Sequence, residues 1–206
     1  MLYTFLKPIA VALMRLFFRL EARGREHVPR EGALLLVSNH VSVLDPPLVG
    51  GATPRKLYFL AKEELFRIPI FGRLIHAVNA RPVRRDGSDS RALKSTLRLL
   101  GEGKAILIFP EGTRGRGDGR LGEGKPGAGM LAVMSGAAVV PVYVSGTDRA
   151  LPRGATLPRP AKVRVRFGPP LHFKAGRDDR RKEQYREASA EMMRAIGQLR
   201  LREQQG

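Results

Sequence analysis

The sequence predicts an α/β domain built on a mostly parallel central sheet flanked by helices, with an N-terminal amphipathic helix suited to a membrane interface. Three observations carry this expectation. Short apolar runs recur at 33–38, 56–61, 105–109 and 138–144, each about the length of a strand buried on both faces. Segments with apolar residues at helical spacing lie between them, the alternation that builds a parallel sheet. The chain has 206 residues and no cysteine, a length that sustains one core without disulfides or a metal staple.

The elements follow in order. In residues 1–20 the longest run without a charge is 8–14, seven residues, against the roughly 20 a spanning helix needs. Arg15 and Arg19 also interrupt what a signal peptide would keep apolar. On a helix, Lys7, Arg15 and Arg19 share an arc of roughly 120°, while Leu6, Ile9, Leu13, Leu16, Phe17 and Leu20 cover most of the rest. Such a helix suits a membrane interface or packing on the domain's own core. This gives an interface segment over 1–24 and an α/β domain over 25–206. Residues 33–38 and 56–61 read as buried strands. Leu93, Leu97 and Leu100 mark a helix over 89–101 that ends at Gly101. The run 105–109 is a further strand, 112–129 a Gly- and charge-rich loop, and 130–135 a helical piece. In the strand 138–144, Pro141 implies an edge or a bulge. Over 161–167, Val163, Val165 and Phe167 alternate with Lys162, Arg164 and Arg166. Tyr185, Ala188, Met192, Ile196 and Leu199 recur at steps of three and four, a C-terminal amphipathic helix.

Composition narrows the chemistry. Lys and Arg number 37 against 19 acidic residues, a net charge of +18, and 28 of the 37 are Arg. This favours phosphate-bearing partners such as an anionic membrane, a phosphorylated metabolite or nucleic acid. Nucleic acid is disfavoured by 6% aromatic content, the lack of Trp and the absence of a reader motif. Without cysteine, thiol nucleophiles, Cys-bound zinc and iron–sulfur clusters are excluded, and four histidines argue against a rich metal site.

In such a fold the site sits on loops after the strands. The first run opens into Asn39-His40-Val41-Ser42-Val43-Leu44-Asp45-Pro46-Pro47. On a helix, residues five apart would point about 140° apart, so His40 and Asp45 meet only across a turn. Asp45 before two prolines fits a helix N-cap. It equally fits a His–Asp dyad, in which the carboxylate fixes the imidazole tautomer and stabilises the imidazolium. A third metal ligand is lacking, and neither Ser38 nor Ser42 sits in a nucleophile elbow. A dyad here would therefore act directly on a substrate hydroxyl or water.

The run 105–109 opens into Pro110-Glu111-Gly112-Thr113-Arg114. Gly112 permits close backbone approach, Thr113 offers a hydroxyl and an N–H, and Arg114 a guanidinium fork. Glu111 would accept from a hydroxyl or orient Arg114. A tight turn with a surface ion pair is the alternative. Arg81, Arg84 and Arg85 form a phosphate clamp or a solvated basic loop. Gly119, Gly124 and Lys125 imitate a nucleotide-binding loop, but Pro126 removes the required hydroxyl.

Taken together, Asn39-His40-x4-Asp45, the Gly72 to Arg81–Arg85 region, Phe109-Pro110-Glu111-Gly112-Thr113-Arg114 and Val140-Pro141-Val142 resemble the glycerolipid acyltransferase family, of the lysophosphatidate acyltransferase type. The resemblance implies that His40 is the general base on a free glycerol hydroxyl and Asp45 its orienting carboxylate. It implies direct attack on an acyl thioester, with acyl-CoA or acyl-acyl carrier protein as co-substrate and no cofactor, metal or acyl-enzyme. Arg84, Arg85, Glu111, Gly112, Thr113 and Arg114 would hold the acceptor's phosphate, with Asn39 and Lys125 supporting the loops. The implied partners are a membrane lysophospholipid and an anionic membrane surface, at the cytoplasmic face of the cell membrane, and no nucleic acid. Glycerol-3-phosphate, another lysophospholipid or an amino-lipid is the alternative acceptor. Two departures stand out. Many members carry Phe-Lys before a Gly where this chain has Gly124-Lys125-Pro126-Gly127, and Arg84 replaces an acidic or small residue.

Overall fold

The computed structural model describes residues 2–77, 79–83, 90–115, 120–176 and 178–205. Its strands are β1 (Glu21–Arg23), β2 (Leu34–Ser38), β3 (Leu57–Lys62), β4 (Ala80–Val83), β5 (Ala105–Ile108), β6 (Ala138–Ser145) and β7 (Arg164–Phe167). Its helices are α1 (Leu2–Phe18), α2 (Asp45–Ala52), α3 (Pro69–Ala77), α4 (Ser90–Gly101), α5 (Pro126–Ser135), α6 (Thr147–Ala150) and α7 (Arg181–Gln204). The strands form one sheet in the order β1-β7-β6-β2-β5-β3-β4. The five strands from β6 to β4 are parallel; β7 runs against β6, and β1 runs along β7. The expected α/β class with a mostly parallel sheet is what the chain adopts.

β2 is the centre. It pairs with β5 on one side and β6 on the other, and all five of its residues are buried. That is why its sequence is continuously apolar rather than alternating. Leu34 and Leu36 face a layer holding Phe18, Leu48, Val49, Leu107, Val140 and Val142. Leu35 and Val37 face the opposite layer, with Leu99, Leu100, Leu131, Ala132, Met192 and Ile196 from α4, α5 and α7. Close packing joins α5 to α7. The Gly129 N–H donates to Ser189 Oγ (2.9 Å), which itself donates to the Lys125 carbonyl (2.8 Å). A Cβ at Gly129 would overlap the Tyr185 carbonyl oxygen.

Four details differ from expectation. Pro141 lies on an interior strand. The bulge is in its neighbour: Phe167 pairs with Val142 and Leu171 bridges Val139, so Gly168, Pro169 and Pro170 stand opposite Val140 and Pro141. Gly168 donates its N–H to the Pro141 carbonyl (2.8 Å), and the proline needs no donor of its own. The loop expected to reach residue 129 ends earlier, because Pro126 starts α5 at a position where its missing N–H is harmless. Residues 21–23 join the sheet as β1, ahead of the boundary expected at residue 25. The helix α3 and strand β4 carry too few residues of one pattern to be read from sequence.

The N-terminal helix serves two surfaces. Val11 and Met14 rest against Gly51 of α2, and Phe18 and Leu20 are buried. Arg19 takes a φ of 44°, ends the helix and turns Leu20 into the core instead of onto the apolar stripe. Ile9 (59% exposed), Leu13 (61%) and Leu16 (82%) face outward. Among the described residues no helix is long and apolar enough to cross a membrane.

Candidate active site

Because β2 and β5 are neighbours and parallel, the loops that follow them emerge side by side. One carries His40 and Asp45, the other Glu111 to Arg114. His40 Nδ1 lies 2.8 Å from Asp45 Oδ2, with His40 7% and Asp45 0% exposed. The same Oδ2 accepts the N–H of Val41 (2.7 Å) and of Ser42 (2.8 Å). These backbone donors supply the turn that brings residues five apart together. Asp45 is therefore not the helix cap. It is the first residue of α2, the N-cap is Leu44, and the carboxylate reaches back to the turn instead of forward to the helix.

Asp45 Oδ2 already accepts two backbone N–H groups, so the ring meets it through an Nδ1–H, which leaves Nε2 as the nitrogen turned away from the pair. The imidazole stacks on the Phe109 ring at 4.0 Å between centroids and 17° between planes. That contact fixes the ring plane from the β5 side. Nothing in the sequence assigned this role to Phe109, because ring stacking between two strand ends leaves no spacing signal.

Glu111 is buried and bound to backbone. Oε1 accepts the His40 N–H (3.2 Å) and Oε2 the Gly122 N–H (2.8 Å). Gly115 N–H in turn donates to the His40 carbonyl (2.8 Å). The carboxylate thus ties the dyad's backbone to the 112–122 loop and does not face Arg114. Gly112 has a φ of 70°, and a Cβ there would meet Lys125 Cδ and Cε at 3.0 Å. The Lys125 side chain therefore lies over Gly112, and its own N–H donates to the Pro110 carbonyl (2.9 Å). Thr113 and Arg114 are exposed, in the stretch between Glu111 and Gly115 that both bond the His40 backbone. Asn39 spans to β6, donating to the Val144 carbonyl (2.9 Å) and accepting the Val144 N–H (2.8 Å). It anchors the β2 exit and is turned away from solvent. Arg84, Arg85 and Gly119 lie outside the described residues. Arg81 is placed with its guanidinium 5.6 Å from the Tyr58 ring centre.

A buried His–carboxylate pair thus lies beside a loop carrying cationic and hydroxyl groups at the carboxyl end of a parallel sheet, the place where such folds carry their sites. The chain belongs to the Acyltransferase family, which it matches over residues 19–145, from the start of the sheet to the end of β6. It is 34% identical to a chloroplastic 1-acyl-sn-glycerol-3-phosphate acyltransferase of Arabidopsis thaliana over 160 residues, 76% of this chain and 44% of that one. It is 28% identical to the 1-acyl-sn-glycerol-3-phosphate acyltransferase of Bacillus subtilis, covering 83% of each chain. A lyso-ornithine lipid O-acyltransferase of Pseudomonas aeruginosa is 39% identical over 127 residues, 61% of this chain and 47% of that one. The chain thus spans less than half the length of some curated relatives. The crystal structure of the 1-acyl-sn-glycerophosphate acyltransferase PlsC from Thermotoga maritima superposes with a TM-score of 0.68 at 27% identity. It covers 93% of this chain and 81% of that one.

Proposed function

We propose that this protein transfers a fatty acyl group from a thioester donor, acyl-CoA or acyl-acyl carrier protein, to the free hydroxyl of 1-acylglycerol-3-phosphate, making phosphatidate. The observation that carries the reading is the buried His40–Asp45 pair, against whose backbone the loop bearing Thr113 and Arg114 is tied by Glu111 and Gly115. His40 Nε2 takes the hydroxyl proton as the oxygen attacks the thioester carbonyl. The imidazolium forms against the Asp45 carboxylate, which stabilises it. The C–S bond breaks, and the thiolate leaves with the proton returned from Nε2. No acyl-enzyme is invoked: the serines flanking His40, Ser38 and Ser42, sit in no nucleophile-elbow sequence, and their hydroxyls donate to the Asn39 and Leu151 carbonyls. Thr113, Arg114 and Lys125, with Arg84 and Arg85, would hold the acceptor phosphate. The stripe of Ile9, Leu13 and Leu16 on α1 would lie in an anionic membrane interface at the cytoplasmic face.

The test is acyl transfer from a long-chain thioester to 1-acylglycerol-3-phosphate in mixed micelles. His40→Ala should lower turnover by about 10²–10⁴-fold with the fold intact. A folded His40→Ala variant with wild-type turnover refutes the base. The Pseudomonas relative, named for a lyso-ornithine lipid, supports a second reading with the same chemistry on an amino-lipid acceptor. A panel of acceptors separates the two: indifference to the acceptor's phosphate removes the phosphate-holding role of Arg114.

A further inference from the structure

A second exposed apolar feature sits on the same rim as the dyad. β3 ends at the exposed Lys62, and a 3₁₀ turn, Glu63–Arg67, leads through a tight knuckle into the first turns of α3. The Gly72 N–H donates to the Ile68 carbonyl (2.6 Å), and a Cβ at Gly72 would overlap the Phe66 carbonyl oxygen. The tip is therefore preformed. It presents Ile68 (49% exposed) and Ile70 (85%), between the exposed Arg67 and Arg73.

The sheet order places this tip relative to the site. β3 is next to β5 and two positions from β2, about 10 Å from the dyad's strand. On the far side, the Phe18 carbonyl at the end of α1 accepts the Val163 N–H (2.9 Å), one residue before β7. β7 begins opposite Ser145, the last residue of β6, so α1 ends at the same rim. Between the two lies Val43 (53% exposed), inside the His40–Asp45 turn itself. Exposed apolar side chains thus flank the dyad from both sides: Leu16 and Phe17 at one end, Ile68 and Ile70 at the other.

We propose that the 67–73 knuckle inserts into an anionic lipid bilayer as a second contact, independent of α1, so that the mouth of the dyad faces the membrane between two anchors. The inference rests on the reading of the acceptor as a membrane lipid. A single helix fixes one line of contact and lets the domain roll about it; a second contact across the sheet removes that freedom. Branched apolar tips between cations are what an interface of headgroups over acyl chains accommodates. The local charges are Lys62, Arg67 and Arg73 against Glu63 and Glu64, with Arg67 paired to Glu63 at 3.9 Å, and the whole chain carries +18. Anionic lipid is therefore favoured over an acidic protein, which would seek a cationic face without the isoleucines.

The chain contains no Trp, so one introduced indole reports alone. In the full-length protein, Ile70→Trp is compared with Met134→Trp. Met134 is exposed near the end of α5, which leads into the amino end of β6, the sheet's opposite end. With phosphatidylglycerol–phosphatidylcholine vesicles, Ile70→Trp should shift its emission to the blue. Acyl-chain bromines about 5–10 Å below the headgroups should quench it; Met134→Trp should show neither change. The double variant Ile68→Asp with Ile70→Asp should weaken vesicle partitioning about tenfold or more, with an unchanged circular dichroism spectrum. The proposal is overturned if vesicle-bound Ile70→Trp behaves like Met134→Trp. It is equally overturned if the protein does not partition, or if the blue shift arises without lipid as protein concentration rises, which would mark a contact between copies. Insertion is read without turnover, so loss of acyl transfer to lysophosphatidate with insertion intact would refute the acceptor and leave the knuckle's role standing.

Discussion

Replacing Asp45 by Asn isolates the charge of the dyad from its geometry. Asp45 Oδ2 takes three donors, from His40 Nδ1, Val41 N–H and Ser42 N–H, while Oδ1 is buried without a hydrogen-bond partner. In the Asp45→Asn variant the new amide must choose an orientation. An NH₂ at the Oδ2 position would face two backbone N–H donors, so the carbonyl oxygen takes that place. His40 then still donates through Nδ1, and the tautomer with Nε2 free is kept. What disappears is the negative charge beside the imidazolium. A pair in contact at 2.8 Å has its charge centres about 4 Å apart, worth about 4 kcal/mol at an effective dielectric of about 20. The amide dipole retains part of this, leaving a loss of about 10²–10³ in kcat. Thermal stability should change little, since one unpartnered polar atom replaces another at Oδ1. Asp45→Ala differs: it removes the acceptor of two backbone donors and costs about 2–5 kcal/mol of stability in sum. Steady-state transfer in mixed micelles and thermal melts on wild type and both variants give the comparison. Turnover of Asp45→Asn within fivefold of wild type would refute the electrostatic role. If Asp45→Asn proved as unstable as Asp45→Ala, the amide would have turned the other way.

Other substitutions probe the scaffold. Asn39→Asp sets a carboxylate oxygen against the Val144 carbonyl now 2.9 Å from the side-chain amide. It should lower unfolding free energy by about 1–3 kcal/mol in urea titration. Gly129→Ala drives a methyl into the Tyr185 carbonyl between α5 and α7 and should destabilise by about 1–3 kcal/mol; an unchanged melting temperature would show that the helices separate at no cost. Glu21 has its pKa lowered, first by the hydrogen bond from Lys162 (2.6 Å) and also by Arg164. A carboxylate depressed in the folded state adds stability above its unfolded pKa of about 4.3 and loses it as pH falls through the folded value. Wild type should therefore melt above Glu21→Gln near neutrality, and the gap should close in acid; a gap independent of pH would contradict the pairing.

The parts of the fold legible in the sequence were those fixed by burial on both faces. β2, β5 and β6 are apolar without interruption because each lies between two strands and two helical layers. β1 and β4, with three and four residues at the sheet's edges, bury too few side chains to leave a pattern. Of the two expectations from Pro141, the edge fails and the bulge holds in the neighbour: proline's missing donor is what matters, and here the adjacent chain bulges past that donor's place. In the site, His40 and Asp45 were readable because a strand exit concentrates polar residues. Their contact was expected across a turn, but how the turn is made was not legible, since it depends on Val41 and Ser42 turning their N–H groups inward. The roles of Phe109, which stood in a motif without one, and of Gly122 left no signal: one acts through a ring plane and the other through a backbone N–H.

The placement of Glu111 shifts how the second loop is understood. As one of a run of phosphate-holding residues it was chemically awkward, because a carboxylate repels the anion that Arg114 attracts. Bound to the His40 and Gly122 N–H groups, its charge is satisfied by two backbone donors, and its position fixes the distance between the loops. His40 is thereby held from three directions: Asp45 sets its tautomer, Phe109 its ring plane and Glu111 its backbone. In the proposed reaction, where one group serves a hydroxyl and a thioester at once, such restraint matters most, since misplacing a reacting group by about 1 Å costs about 10²-fold in rate. The two loops are 71 residues apart in sequence and adjacent only because β2 and β5 pair. The parallel sheet is therefore the element that brings His40, Asp45 and Glu111 together, and Thr113 and Arg114 stay exposed outside those contacts.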